Sequence, residues 1–210
     1  MKNKNLFYGI VAALFILGGI LSPGLLALVP FSLVCFALLV RDKFSSKNTT
    51  IRLCIMILSG LIVEFFSWFG SYITKSENPA LFHPLLVPDM LLGLGYYTGL
   101  AIGWTIADRH FGFNMREVFF LSAIYGVFME QMGAIFLTFN PIAWIYVGLV
   151  YTSMVTPGFL LVPPNKPKVA AWKRYLAALV IVTIGVFIGT QISGTLFGSF
   201  IPPKPMVAGI

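Results

Sequence analysis

The sequence predicts an all-α integral membrane protein, a polytopic bundle of about seven transmembrane helices forming one domain over residues 1–210. Three observations predict it. Hydrophobic residues make up 58% of the chain and charged residues only 10%, far below the roughly 25% of soluble domains. The apolar residues fall in runs at about 6–22, 25–40, 52–73, 86–107, 117–139, 141–162 and 175–200, most of them holding the roughly 17–25 residues that cross a bilayer as a helix. The basic residues occupy alternate gaps between the runs, which is the pattern that membrane topology imposes.

Taken in order, the first run follows Met1-Lys2-Asn3-Lys4-Asn5 and has the outline of a signal peptide. It lacks an Ala-x-Ala cleavage site, and a second apolar run follows at once, so it is expected to be an uncleaved first span. Ser22-Pro23-Gly24 predicts a tight turn before the second run, which is short and contains Pro30. The third run follows Arg41, Lys43, Lys47 and Arg52. An external segment containing Asn78-Pro79 and His83 leads into the fourth, and Arg109, His110 and Arg116 separate that from the fifth. Asn140-Pro141 predicts a turn into the sixth, and Lys166, Lys168, Lys173 and Arg174 precede the seventh. With Lys2 and Lys4 ahead of the first span, this alternation places the N-terminus in the cytoplasm and the C-terminus outside, in a multi-pass protein of the cell membrane. The net charge of +7 is therefore topological, and no basic patch interleaved with aromatics points to nucleic acid.

Within this apolar chain, Glu64 and Glu130 lie deep in the third and fifth runs with no lysine or arginine beside them. An ionisable group in hydrocarbon costs about 2.5–3.5 kcal/mol on insertion scales, so it marks function by default. Each follows a glycine by four residues, in Gly60-Leu-Ile-Val-Glu64 and Gly126-Val-Phe-Met-Glu130. At a rise of about 1.5 Å per residue, Glu64 lies roughly 18 Å beyond Arg52 and Glu130 roughly 21 Å beyond Arg116, which predicts one depth in the outer half of the membrane. Asp89, His83 and Gln191 are expected near the same layer. Helical spacing puts Gly60, Glu64, Ser67 and Ser71 on one stripe, Ser122, Gly126, Glu130 and Gly133 on another, and Asp89, Gly93 and Tyr96 on a third.

The same positions outline an internal repeat. Gly60 and Glu64 recur 66 residues on as Gly126 and Glu130, and Gly93-x-x-Tyr96 recurs 55 residues on as Gly148-x-x-Tyr151. The third and fourth spans would then repeat as the fifth and sixth in parallel orientation.

The candidate catalytic residues are accordingly Glu64, Glu130 and Asp89, with Tyr96, Tyr151, Trp68, Gln191 and His83 as candidate substrate-binding residues. A protonated carboxylic acid in an apolar pocket is a competent general acid, and aromatic rings around it can stabilise a carbocation. Competing structural readings stand beside these. The glutamates can be interhelical hydrogen bonds, Asp89 can answer the helix dipole at the start of its span, His83 can be a solvated loop residue, and the rings can form an interfacial belt. Cys35 and Cys54 are expected as small buried hydrophobes. No metal or cofactor is expected, since HExxH, GxSxG, P-loop and GxGxxG patterns are absent and the seventh span has no lysine for a retinal Schiff base.

The Gly60-x-x-x-Glu64 step, the aromatic and proline-rich external segment, and a following span with Pro88 and Tyr96 resemble polytopic carotenoid-modifying enzymes, the membrane-bound carotenoid hydratases and small lycopene cyclase domains. The resemblance covers about Gly60 to Pro157 and implies acids at Glu64 and Glu130 that protonate a polyene or isoprenoid double bond. Water or ring closure would quench the cation. Glu130-Gln131 departs from the paired Glu-Glu of a cyclase. The expected function is a membrane enzyme acting on an isoprenoid or other lipid within the bilayer, by hydration, cyclisation or isomerisation. A proton-coupled transporter and a non-catalytic assembly subunit are the alternatives.

Overall fold

The computed structural model describes residues 2–44, 47–76, 82–129 and 133–203. Every regular element among them is helical: α1 Lys2–Leu21, α2 Phe31–Val40, α3 Thr49–Thr74, α4 Leu86–Phe111, α5 Met115–Met129, α6 Ala134–Leu137, α7 Pro141–Leu161 and α8 Ala171–Phe197, with short 3-10 helices at Pro23–Leu28 and Arg41–Lys43. Six stretches of the described residues are long and apolar enough to cross a membrane: Lys4–Leu21, Pro23–Lys43, Thr49–Thr74, Leu86–Phe111, Pro141–Leu161 and Ala171–Phe197. Of the predicted fifth run, the described residues form α5 and the single turn α6.

Local chemistry sets the helix boundaries. The Asn48 side chain accepts from the Thr50 N–H at 2.8 Å and caps α3. Asn114 and Glu117 form a reciprocal capping box at the start of α5, at 3.0 and 2.9 Å. Asn140 accepts from Ile142 and Ala143, and Pro141 fills the first position of α7, as the Asn-Pro turn predicts. The second run is a broken segment. Pro30 lacks the N–H that would continue a helix, so a 3-10 helix gives way there to α2.

The helices α3, α4, α5, α7 and α8 form the bundle, with α4 packed most extensively on α8, α5 on α7, and α3 on both α4 and α7; α2 leans on α7, and α1 on α2. Small residues draw α4 and α8 together along Gly95, Gly99, Gly103 and the antiparallel Gly185, Gly189, Ser193. A Cβ added to Gly99 would lie 2.1 Å from the Gly185 carbonyl oxygen, and one on Gly189 2.1 Å from that of Gly95. Trp104, Tyr97, Tyr125, Phe113 and Phe159 fill the centre, each at most 2% exposed. Outward-facing Ile184, Phe187, Ile188 and Ile192 on α8 and Leu6, Leu14 and Ile20 on α1 are about half exposed or more, a surface suited to hydrocarbon and not to water.

One end of the bundle is tied by ion pairs. Buried Arg52 on α3 meets Asp108 on α4 at 2.8 Å, and its guanidinium lies 4.5 Å above the Phe159 ring. Asn165 donates to the same carboxylate through its backbone N–H and its side-chain amide. Glu117 on α5 pairs with Arg174 on α8 and accepts from the Tyr175 hydroxyl. Arg52 and Arg174 thus belong to the packed interior, whereas Arg41, Lys43, Arg109, Arg116, Lys166, Lys168 and Lys173 are exposed. Between α4 and α5, Gly112 takes φ +66 with Lys166 O where a Cβ would stand, at 2.0 Å, so only glycine fits. Both cysteines are free; Cys35 is buried as expected, but Cys54 faces outward and is exposed.

Candidate functional site

Towards the opposite end, α3, α4, α7 and the broken second segment enclose a cavity of about 540 Å³, within the roughly 300–1,000 Å³ of small-molecule sites. Its α3 wall is a stripe of Glu64, Ser67, Ser71 and Thr74, which is the predicted glutamate–serine face extended by one more hydroxyl. Thr74 and Ser76 are exposed at its mouth, and Glu64 lies deeper at 5% exposure. Tyr96, Tyr97 and Phe82 supply a second wall, and Val147, Val150, Tyr151 and Met154 of α7 a third. Pro23, Gly24 and Ala27 complete it, with Gly24 held by its carbonyl to the Tyr146 hydroxyl at 3.2 Å.

Glu64 is gripped from α4. Tyr97 donates its hydroxyl to Glu64 Oε2, and its ring lies over Gly60, where an added Cβ would come within 2.3 Å of the ring. Gly93 opposes the glutamate stem, its Cβ position lying 3.6 Å from Glu64 Cγ. One turn earlier on α4, Asp89 is completely buried and neighbours Glu64. Its Oδ1 accepts the His83 N–H at 2.8 Å. Tyr97 stands beside the Asp89, Gly93 and Tyr96 stripe of α4, and both tyrosines line the cavity.

Of the predicted binding residues, Tyr96 and Tyr151 line the cavity and join hydroxyl to hydroxyl at 3.0 Å, bridging α4 and α7. His83 does not line it. Its ring is buried, Nδ1 accepts the Leu85 N–H at 3.0 Å, and Nε2 is then the N–H that donates to the Pro202 carbonyl at 3.0 Å. His83 thus shapes the loop that aims its own N–H at Asp89, and it is neither a ligand-facing group nor a solvated one. Trp68 also lies outside the lining, donating to the Pro84 carbonyl at 3.0 Å and stacking on Tyr72. Gln191 is exposed on α8, away from the cavity, because the face of α8 that meets α4 is the glycine face. Glu130 and Gln131 lie outside the described residues, as do Asn78 and Pro79. Among the described residues, no three His, Cys, Asp or Glu side chains are grouped to hold a metal ion.

Tyr97 and Phe82 were not singled out by sequence, although Tyr97 carried a signal, since Asp89, Gly93 and Tyr97 fall at i, i+4 and i+8. The two halves also correspond more closely than spacing indicated. Asn48 and Asn114 cap α3 and α5 at the same 66-residue offset as Gly60 and Gly126. Tyr151 covers Gly126 as Tyr97 covers Gly60, with a Cβ on Gly126 reaching 2.4 Å from the Tyr151 ring. In this correspondence Tyr151 matches Tyr97, one residue from the predicted partner Tyr96. Comparison with protein-family models, curated proteins and solved structures finds no match to this chain.

Proposed function

We propose that the protein is a multi-pass membrane enzyme that acts on an isoprenoid or other lipid by acid chemistry, with Glu64 as proton donor. The observation that carries this reading is a buried carboxyl facing a 540 Å³ cavity and bonded by the Tyr97 hydroxyl. A general acid needs a fixed orientation and a substrate-sized space beside it, which the Tyr97 bond and the cavity supply, and in this reading Glu64 carries the proton before turnover. As the proton leaves for a double bond, the Tyr97 hydroxyl stabilises the charge left on Oε2, and the lining rings face the developing carbocation. Water then adds to the cation and returns a proton to the Glu64 carboxylate, or an internal double bond closes on it and the new ring cation loses a proton to that carboxylate. The resemblance to carotenoid-modifying enzymes favours a polyene or other isoprenoid. Glu130 stays in the proposal on its sequence position alone.

In the same reading the chain has seven spans, the fifth being the run at about 117–139, with the Arg52 end in the cytoplasm and the cavity mouth outside. The exposed basic residues clustered at the Arg52 end support that orientation. Capping and glycine–tyrosine packing at matching positions support a parallel repeat. The test is to make Glu64→Gln and Glu130→Gln separately and to measure the lipid and pigment profile of cells at matched protein levels. Loss of a product with Glu64→Gln is expected; an unchanged profile in both variants defeats the enzyme reading.

A proton-coupled transporter is the second reading, favoured by one observation. The ion pairs Arg52–Asp108 and Glu117–Arg174 seal one end while the cavity opens at the other, as one state of an alternating-access cycle would. Uptake into proteoliposomes that requires a pH gradient and vanishes in Glu64→Gln would establish it.

A further inference from the structure

We infer that the serine and threonine stripe of α3 is an aqueous path joining Glu64 to the membrane face on which the cavity opens. The inference goes beyond the proposed acid chemistry, since the same path would serve an enzyme or a carrier.

The face of α3 that carries Glu64 has opposite characters on its two sides. Towards the mouth, Ser67, Ser71 and Thr74 follow at i+3, i+7 and i+10, a spacing that keeps them on one side of the helix, and all three line the cavity. Thr74 lies about 15 Å along the axis from Glu64. Exposure falls along this line, from Thr74 through the partly exposed Ser71 and Ser67 to the buried Glu64. In the other direction the same face carries Gly60, Met56 and Arg52 at steps of four, and each is closed over. The Tyr97 ring covers Gly60, Met56 is 1% exposed and packs against Gly158, and Arg52 is paired with Asp108. Water entering at the mouth can reach Glu64 but meets packed side chains beyond it.

The hydroxyls on the path are available to water. A serine or threonine within a helix often satisfies itself by donating to the carbonyl one turn back, as Thr74 does to Gly70, Ser122 to Val118 and Ser153 to Leu149. Among the described residues, the Ser67 and Ser71 hydroxyls make no such bond. A water molecule needs a roomy site with two to four polar partners, and the α3 wall offers a hydroxyl at each turn of a 540 Å³ cavity. The α7 wall opposite, with Val147, Val150 and Met154, presents apolar side chains. Water is thus held along α3 while an apolar guest lies against α7, and the carboxyl is reached by both.

The test is cysteine accessibility in the full-length protein with Cys35 and Cys54 replaced. Only a thiolate reacts with a methanethiosulfonate, and a thiol in hydrocarbon does not ionise. Ser76→Cys, at the mouth, identifies the side of entry. Ser71→Cys and Ser67→Cys should react from that same side with the membrane-impermeant trimethylammonium-ethyl reagent in intact cells. Phe69→Cys, between them in depth but on the outward face of α3, should react at least about a hundredfold more slowly. The inference is overturned if Ser67→Cys and Ser71→Cys react no faster than Phe69→Cys, or if they react from the side opposite to Ser76→Cys. Its failure is separable from that of the enzyme reading. Reactive Ser67→Cys with a lipid profile indifferent to Glu64→Gln leaves the path standing without the enzyme, whereas a Glu64-dependent profile with unreactive thiols removes this inference alone.

Discussion

At the scale of single residues, the site turns on how Tyr97 is held. Its ring occupies the space a side chain on residue 60 would need, and that placement delivers its hydroxyl to Glu64. Tyr97→Phe keeps the ring and removes the donor. A hydrogen bond to a charged group is worth about 1.5–3 kcal/mol, so turnover should fall about ten- to a hundredfold with little change in thermal stability. Gly60→Ala should produce the same loss together with destabilisation of about 1–3 kcal/mol, because the added methyl collides with the ring. If Gly60→Ala unfolds at the wild-type temperature, the close packing is not what positions Tyr97. The carboxyls were legible in the sequence because an acid in an apolar run is costly wherever it points. The tyrosine was not, because neighbouring residues on a helix point about 100° apart and both Tyr96 and Tyr97 lie in an apolar run with little amphipathic contrast.

At the scale of elements, α4 is fixed from two sides, by α3 through Glu64–Tyr97 and Arg52–Asp108 and by α8 through glycine contacts. A methyl at Gly99 must displace backbone, the Gly185 carbonyl, so Gly99→Ala should lower stability by about 1–3 kcal/mol in detergent unfolding. Gly194→Ala is the matched control on α8, with nothing within 4 Å of its Cβ position, and it should be neutral or slightly stabilising. The repeated small residues at steps of four were present in the sequence, but such spacing does not name the partner helix. Run lengths gave most spans to within a few residues. The second run is one span, Pro23–Lys43, with Pro30 dividing its 3-10 helix from α2, and the described residues of the fifth form α5 and α6.

At the scale of the whole molecule, the ion pairs at one end and the cavity at the other define its polarity. Asp108→Asn leaves Arg52 buried without its counter-charge and should cost about 3–5 kcal/mol, a loss that replacing Arg52 as well, by Met, should partly restore. An unaltered unfolding transition in Asp108→Asn would mean that the pair contributes nothing to the bundle. Orientation is tested by cysteine labelling. With the native cysteines replaced, Ser76→Cys should react with a membrane-impermeant maleimide in intact cells, and Lys173→Cys only after permeabilisation. The reverse pattern would invert the proposed topology.

Composition and run length by themselves determined an all-helical chain suited to the bilayer, because the cost of burying charge and of leaving backbone groups unbonded in hydrocarbon acts on each segment separately. The importance of Glu64 followed from the same local cost. Which groups meet Glu64 was decided only by tertiary structure. Tyr97 over Gly60, Asp89 one turn away and His83 tied to Pro202 depend on how deeply one helix seats against another, and that seating is set by steric contact between residues far apart in the chain. Gln191 and Trp68 share the polarity or aromaticity of the site residues, but packing turns them away from the cavity.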